Sequence, residues 1–351
     1  MRKKTFSKNT RIIRRLIAGF FLMIILLPII GFGKTEPSKY ELSFEKAAKA
    51  LFNDPTQFHD PHVIKTLGII YQPLQKKFGD KQVNYWMEHT LAEMCLLKVG
   101  KSWAGAFVHQ PHLHQLSTCG FEPSAHFTSE LIIGLAHNNI KEYAFKCVHE
   151  CTSSIDKIKT SYLVDWLKQN IGVDNWSPGM EVQALVAAGV TFNDKWQDAS
   201  GVDWNLKKIL GMTIDRWHST KKIAKLKAGD QIPENLLHLG PALIEIYIKA
   251  PAAFSPYASV LEEVFSFYRE IMNPKGYWGF PGEAFSTGHI MEQFFIATNA
   301  GFKTAPLSLQ PLKLMVERQA SDGWFKISDH NIIGAHAHAT RAIALGLPFL
   351  K

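Results

Sequence analysis

Glycine-rich phosphate loops, a dinucleotide-binding fingerprint and the Gly-x-Ser-x-Gly elbow of serine hydrolases are all missing from these 351 residues. Nucleotide-dependent chemistry and triad hydrolysis therefore have no motif to rest on. Cysteine is scarce, with Cys95, Cys119, Cys147 and Cys151 alone. Four thiols exclude a disulfide-dense scaffold, and they allow three pairings between which the spacing does not choose. Sustained alternation of apolar and polar residues is also lacking, which argues against a sandwich or barrel of strands.

An excess of positive charge is lacking once the net +8 is located. Arg2, Lys3, Lys4, Lys8, Arg11, Arg14, Arg15 and Lys34 supply it at the N-terminus, leaving 31 basic residues against 31 acidic ones. Nucleic acid is therefore not an expected partner. The basic head precedes an uncharged apolar run, Leu16–Phe32, with small residues at Gly31 and Gly33. This pattern predicts an export segment over residues 1–33, either a signal peptide cut after Gly33 or an uncleaved membrane anchor. The remainder, 34–351, is expected to be a single periplasmic or secreted domain. Contact with a membrane would come only through the N-terminal segment.

What is present is helical periodicity. The spacing of apolar residues predicts helices near 41–52, 61–78, 82–98, 124–138, 140–150, 155–170, 178–189, 203–218, 233–249, 256–272, 286–300, 307–320 and 331–346. Ser177-Pro178 and Ser255-Pro256 read as helix starts, and Gly189, Gly301 and Gly346 as stops. Two C-terminal stretches, Met272–Gly301 and Arg318–Gly346, share one order: a Gly-aromatic turn, a loop, then a helix of small, His and apolar residues. Asn175–Gly189 is a third copy. Helices of this kind, containing Glu88-His89, Ser129-Glu130, Glu181, His238, His289 and His336, alternate with amphipathic ones. Six such hairpins predict an all-α fold, an α/α toroid with an inner and an outer ring.

At Gln319–Trp324, and more loosely at Asn273–Trp278, the chain resembles the Gln/Asp-Gly-Trp turns of terpenoid-cyclase and prenyltransferase-like α/α toroids. NWSPGMEVQALVAAG resembles the inner helix after such a turn, and the resemblance extends over about 155–350. It implies the toroid fold. The Asp-x-Asp-Asp acid of the cyclases and the Asp, Cys and His zinc ligands of the prenyltransferases have no counterpart here. Exported polysaccharide lyases and glycoside hydrolases share the architecture, so a polysaccharide or other small molecule is the expected partner.

Fifteen histidines supply the chemistry to consider. His126, Glu130 and His137 fall on one helical stripe, as do His289, Glu292 and Gln293. His89–Glu93 and His238–Glu245 are further pairs, while His336 and His338 point apart, so only one faces a ring centre. A neutral imidazole and a carboxylate suit general acid–base work. The expected catalytic set is His289 with Glu292 as its orienter, His336, Glu181, Glu130 and His126. Trp278, Trp324, Trp176 and His238 are the expected substrate contacts. His109, His112 and His114 in one loop, and Cys147, His149 and Cys151 in another, carry ligand-type side chains without a convergent spacing. Neither group is assigned a metal, and no cofactor is specified. A binding or scaffold protein without catalysis is the alternative, with a terpenoid-cyclase-like enzyme as a third reading.

Overall fold

The computed structural model describes residues 37–54, 60–94, 96–99, 102–107, 122–146, 155–172, 178–279, 284–303, 305, 307–325 and 332–350. Lys39–Lys351 forms one compact unit. The fold is predominantly helical with little strand. In chain order the helices are α1 (Lys39–Phe52), α2 (Pro61–Ile69), α3 (Tyr71–Phe78), α4 (Asp80–Glu93), α5 (Ala125–His137), α6 (Thr160–Gln169), α7 (Pro178–Ala187) and α8 (Leu206–Ala224). After these come α9 (Glu234–Leu237), α10 (Leu239–Lys249), α11 (Pro251–Phe254), α12 (Ala258–Glu270), α13 (Ala284–Asn299), α14 (Gln310–Arg318) and α15 (Ile332–Gly346). Among the described residues, no helix is long and apolar enough to cross a membrane; the predicted export segment lies outside them.

Two kinds of helix follow from two burial patterns. In α5 every residue from Ala125 to Leu135 is buried, so the helix has no wet face. In α12 burial is confined to Leu261, Val264, Phe265, Phe267 and Tyr268, close to the i, i+3, i+4, i+7 stripe of a helix with one face in water. The helices of the first kind, α2, α5, α7, α10, α13 and α15, each touch the next, and α15 returns to touch α2. The amphipathic α1 packs on α15 and α14, tying the two ends of the unit together.

Glycines permit the close crossings between the buried helices. A Cβ on Gly134 would lie 2.7 Å from Lys65 N of α2, and one on Gly288 would lie 2.6 Å from Ala339 N of α15. Backbone atoms cannot yield to such contacts, so larger residues would force the helices apart. The two C-terminal turns share a backbone conformation and a hydrogen-bond pattern. Gly276 and Gly323 have φ of 84° and 92°, and Asn273 N donates to Tyr277 O as Ala320 N donates to Trp324 O. Trp278 N then donates to Thr287 Oγ1, and Phe325 N to His336 Nδ1. His336 is thus the counterpart of Thr287, and His338 that of His289.

Several sequence expectations need correction. Of the helix expected over 140–150, residues 140–146 are described and are not helical: β4 (Glu142–Lys146) pairs antiparallel with β5 (Ile155–Lys159) ahead of α6. The predicted 82–98 helix stops at Glu93, and β1 (Leu96–Val99), β2 (Ser102–Phe107) and β3 (Glu122–Pro123) form a small sheet. β6 (Trp196–Gln197) and β7 (Asp203–Trp204) form a further pair. The first all-buried helix is α2 and not the one holding Glu88-His89. His89 is instead a surface residue whose ring lies tilted against Tyr85, with centroids 3.9 Å apart. Ser255 lies in a 3-10 turn and makes no side-chain cap; Ser177 lies outside the described residues. Gly189 and Gly301 do end helices at positive φ, whereas the chain runs through Gly346 into another 3-10 turn, Leu347–Phe349.

Candidate active site

Five of the six buried helices, all but α7, carry a histidine at or near the start. His62 and His126 are the second residues of α2 and α5, His238 precedes α10, and His289 and His338 lie on the second turns of α13 and α15. Their imidazoles make a closed circuit. Centroids are 6.2 Å apart from His62 to His126, 5.6 Å to His238, 5.5 Å to His289, 4.1 Å to His338 and 5.8 Å back to His62. All five are buried.

Each ring has its own anchor. Asp60 caps α2 by accepting from His62 N, and the same oxygen, Oδ1, lies 2.8 Å from His62 Nδ1. Gln293 Nε2 donates to Leu237 O at 2.9 Å and lies 2.8 Å from His289 Nδ1. Because a carbonyl fixes that amide nitrogen as a donor, His289 Nδ1 accepts and its proton sits on Nε2. His338 is held differently: its Nδ1 lies 2.7 Å from Glu292 Oε2, an acceptor, and 2.7 Å from an Arg341 guanidinium nitrogen, a donor, so these contacts place the ring without fixing its tautomer. Arg341 is 2.8 Å from the other oxygen of Glu292 and donates to Thr66 Oγ1, which holds the carboxylate from a third side.

Charge is tightly paired here. Lys65 Nζ lies 2.6 Å from Glu130 Oε1, with both side chains buried. Burial alone would raise the Glu130 carboxyl, but Lys65, His62, His126 and Arg341 outweigh it and hold its pKa well below the usual range. Burial works against charge on His62 as well, yet Glu130 and Asp60 raise its pKa above the ordinary imidazole value. His289 and His338 go the other way. Burial, then the neighbouring His338 and His238, depress His289; burial, then Arg341 and Lys65, depress His338. Both are neutral imidazoles near pH 7.

A cavity of about 280 Å³ opens beside this layer. Lys65, His289, Glu292 and His338 form its polar wall, facing aliphatic side chains such as Ile69, Ile244 and Ile296. His137 and Glu245, 3.1 Å apart, also line it.

Of the residues expected from sequence, His126, Glu130, His238, His289 and Glu292 come together. Glu292 orients His338 and not His289; that task falls to Gln293. His336 points away from the circuit, accepting from Phe325 N and lying 2.9 Å from Ala47 O. The repeat register explains this, since the last loop is two residues longer than its counterpart. Glu181 caps the turn at Gly172, whose N–H it accepts. Trp278 is fully buried with its indole N–H on Tyr268 O, and Trp324 packs on His336 at 4.2 Å, so neither lines the cavity. Trp176, His109, His112, His114, His149 and the four cysteines lie outside the described residues.

Sequence reasoning missed Asp60, His62, Lys65 and Arg341. The signal was available: Lys65 and Arg341 are the lone charged residues of α2 and α15, and a lone charge in an apolar helix needs a buried partner. In comparisons with known proteins, the chain matches no family model, no curated protein and no solved structure.

Proposed function

We propose that the chain is an exported α/α-toroid enzyme that abstracts and returns protons at the His289–His338 pair. The cyclic order of contacts among the buried helices supports the toroid, and the terpenoid-cyclase-like turns at Gly276 and Gly323 agree with it. One observation carries the catalytic reading: two neutral, stacked imidazoles on the cavity wall, one anchored by Gln293 and the other by Glu292 and Arg341. In this reading the His338 proton sits on Nδ1 toward Glu292, Nε2 is the base, and the His289 Nε2–H is a donor to an oxyanion or leaving group.

Among carbohydrate-active chemistries, this favours a lyase over a glycoside hydrolase. A hydrolase needs one carboxyl protonated as the acid. Glu130 is held ionised by Lys65, and Glu292 is engaged by Arg341 and His338. A lyase needs a neutral base and a cation beside the substrate carboxylate, and Lys65 lies on the cavity wall. The volume suits a short uronate-type end group or another small acid. Unsaturated product from a panel of acidic glycans is read by ultraviolet absorbance. Formation by the wild-type chain, abolished in His338→Gln, supports the reading. No product from any uronate, with a folded chain, removes it.

The aliphatic wall of the cavity favours a second reading, a binding protein for a small, partly apolar ligand. In that case the wild-type chain would bind such a ligand and return it unchanged. A terpenoid-cyclase-like reaction gains nothing from the cavity, whose lining holds no Phe, Tyr or Trp among the described residues.

A further inference from the structure

We propose that His62, His126 and Glu130 form a binding site for a divalent transition-metal ion of the zinc class. The three side chains come from two adjacent helices, α2 and α5, and their ligand atoms lie within 4.8 Å of one another in buried surroundings. Two imidazoles and one carboxylate are the donor set of catalytic zinc and related centres, which keep further positions open for water or substrate.

Two independent features separate this cluster from a chance grouping. The first is Glu130 Oε2, buried and without a hydrogen-bond partner among the described residues, although Oε1 of the same carboxylate takes Lys65. A buried carboxylate oxygen left bare is costly unless something positive meets it. The second is Asp60. It binds His62 Nδ1, so His62 presents Nε2 to the cluster. A carboxylate on the far nitrogen of a ligating histidine fixes its tautomer and raises its basicity, as outer-shell partners of metal sites do. His126 and Glu130 are one helical turn apart on α5, which brings both donors to the same side. Phe127 packs edge-on to His62 at 6.2 Å and gives the site an apolar flank. The inference stands apart from the lyase reading, since it concerns occupancy and not reaction.

The test is titration of EDTA-treated full-length chain with Co²⁺ followed by its visible ligand-field bands, with Zn²⁺ as competitor. One Co²⁺ per chain, displaced by Zn²⁺, is expected. His126→Gln and Glu130→Gln should abolish the bands. Glu130→Gln also strands Lys65, so Asp60→Asn serves as a milder probe: asparagine still caps α2 but no longer offers a charged acceptor. Its affinity should fall about tenfold to a hundredfold, with unchanged circular dichroism. Replacing His109, His112 and His114 together by alanine should leave Co²⁺ binding unchanged. The proposal is overturned if wild-type chain takes up no Co²⁺ or Zn²⁺, if Asp60→Asn and His126→Gln bind as tightly as wild type, or if binding is lost only in the His109, His112, His114 variant.

Discussion

The imidazoles of His289 and His338 stack with centroids 4.1 Å apart and planes 22° from parallel, each ring held by a different neighbour on α13. Two positive charges at such a distance would repel by about 4 kcal/mol at an effective dielectric of 20. The pair therefore resists protonation together. Around His338 stand Glu292 on α13, Arg341 on its own helix, Lys65 and His62 on α2, and Glu130 on α5; burial and the cations outweigh the carboxylates. Activity at this pair should thus show no acid limb near pH 6.5, the ordinary histidine value. A rate profile that halves near pH 6.5 would show that His289 and His338 are not the groups in use.

Replacing Glu292 by Gln keeps the shape but removes the charge facing Arg341. Truncating one member of a buried pair costs roughly 3–5 kcal/mol because the other charge is stranded. Loss of orientation at His338 should also lower turnover, by about 10²-fold or more on the scale of general-base effects. Urea denaturation and steady-state rates separate the two losses. Gln293→Leu should instead perturb His289 and leave Arg341 paired.

The helical hairpins were legible because their apolar spacing is a local property, and the Gly-aromatic turns because a positive φ leaves a glycine in the sequence. The first hairpin departs from its sequence expectation for a physical reason. Pro61–Ile69 is short, and only its packing against α5 and α15 marks it as buried all round, whereas Asp80–Glu93 carries the His–Glu spacing. The repeat points to His336 in place of His338 because the loop after Gly323 is two residues longer than the one after Gly276. The strand pair at Glu142–Lys146 and Ile155–Lys159 escaped because five-residue strands carry too little periodicity to outweigh flanking helix formers. The five-histidine circuit is a tertiary property, assembled from helices far apart in the chain.

His336 predicts how stability depends on pH. Burial, partly offset by the hydrogen bond to Ala47 O, pushes its pKa down to about 4. Above the unfolded value near 6.5 both states are neutral, and its contribution is fully present. As pH falls from 6.5 toward 4, the unfolded chain gains a proton that the folded chain refuses, and stability drops by up to about 3 kcal/mol. In His336→Gln, urea midpoints between pH 7 and pH 4 should fall less steeply than in wild type. Equal slopes would show that His336 is not buried as a neutral ring.

Close helix crossings give a paired stability prediction. Gly288→Ala would set a Cβ 2.6 Å from Ala339 N, and moving α15 away should cost about 1–3 kcal/mol. Gly211→Ala on the outer helix α8 meets nothing within 4 Å. Relief of glycine entropy should there stabilise by about 0.5–1 kcal/mol. Thermal unfolding midpoints moving in opposite directions are expected. A gain from Gly288→Ala would mean that α13 and α15 are not packed backbone to backbone.

Lys65 and Glu130 form a buried pair whose value lies in its completeness. Lys65→Met leaves Glu130 ionised in an apolar setting, with an expected loss of roughly 3–5 kcal/mol. Lys65→Met combined with Glu130→Leu removes both charges and should regain most of that loss, because an apolar pair of similar volume needs no compensation. The cycle is measured by urea denaturation in EDTA, so that no ion contributes. Repeating it with Zn²⁺ adds a second readout. An ion on Glu130 Oε2 replaces part of the charge that Lys65 supplied, so Zn²⁺ should raise the midpoint of Lys65→Met and leave the double variant unmoved. Ligand binding to the folded state alone adds stability in proportion to the logarithm of its saturation, so a Lys65→Met midpoint indifferent to Zn²⁺ would count against the ion and the pair would stand as purely structural.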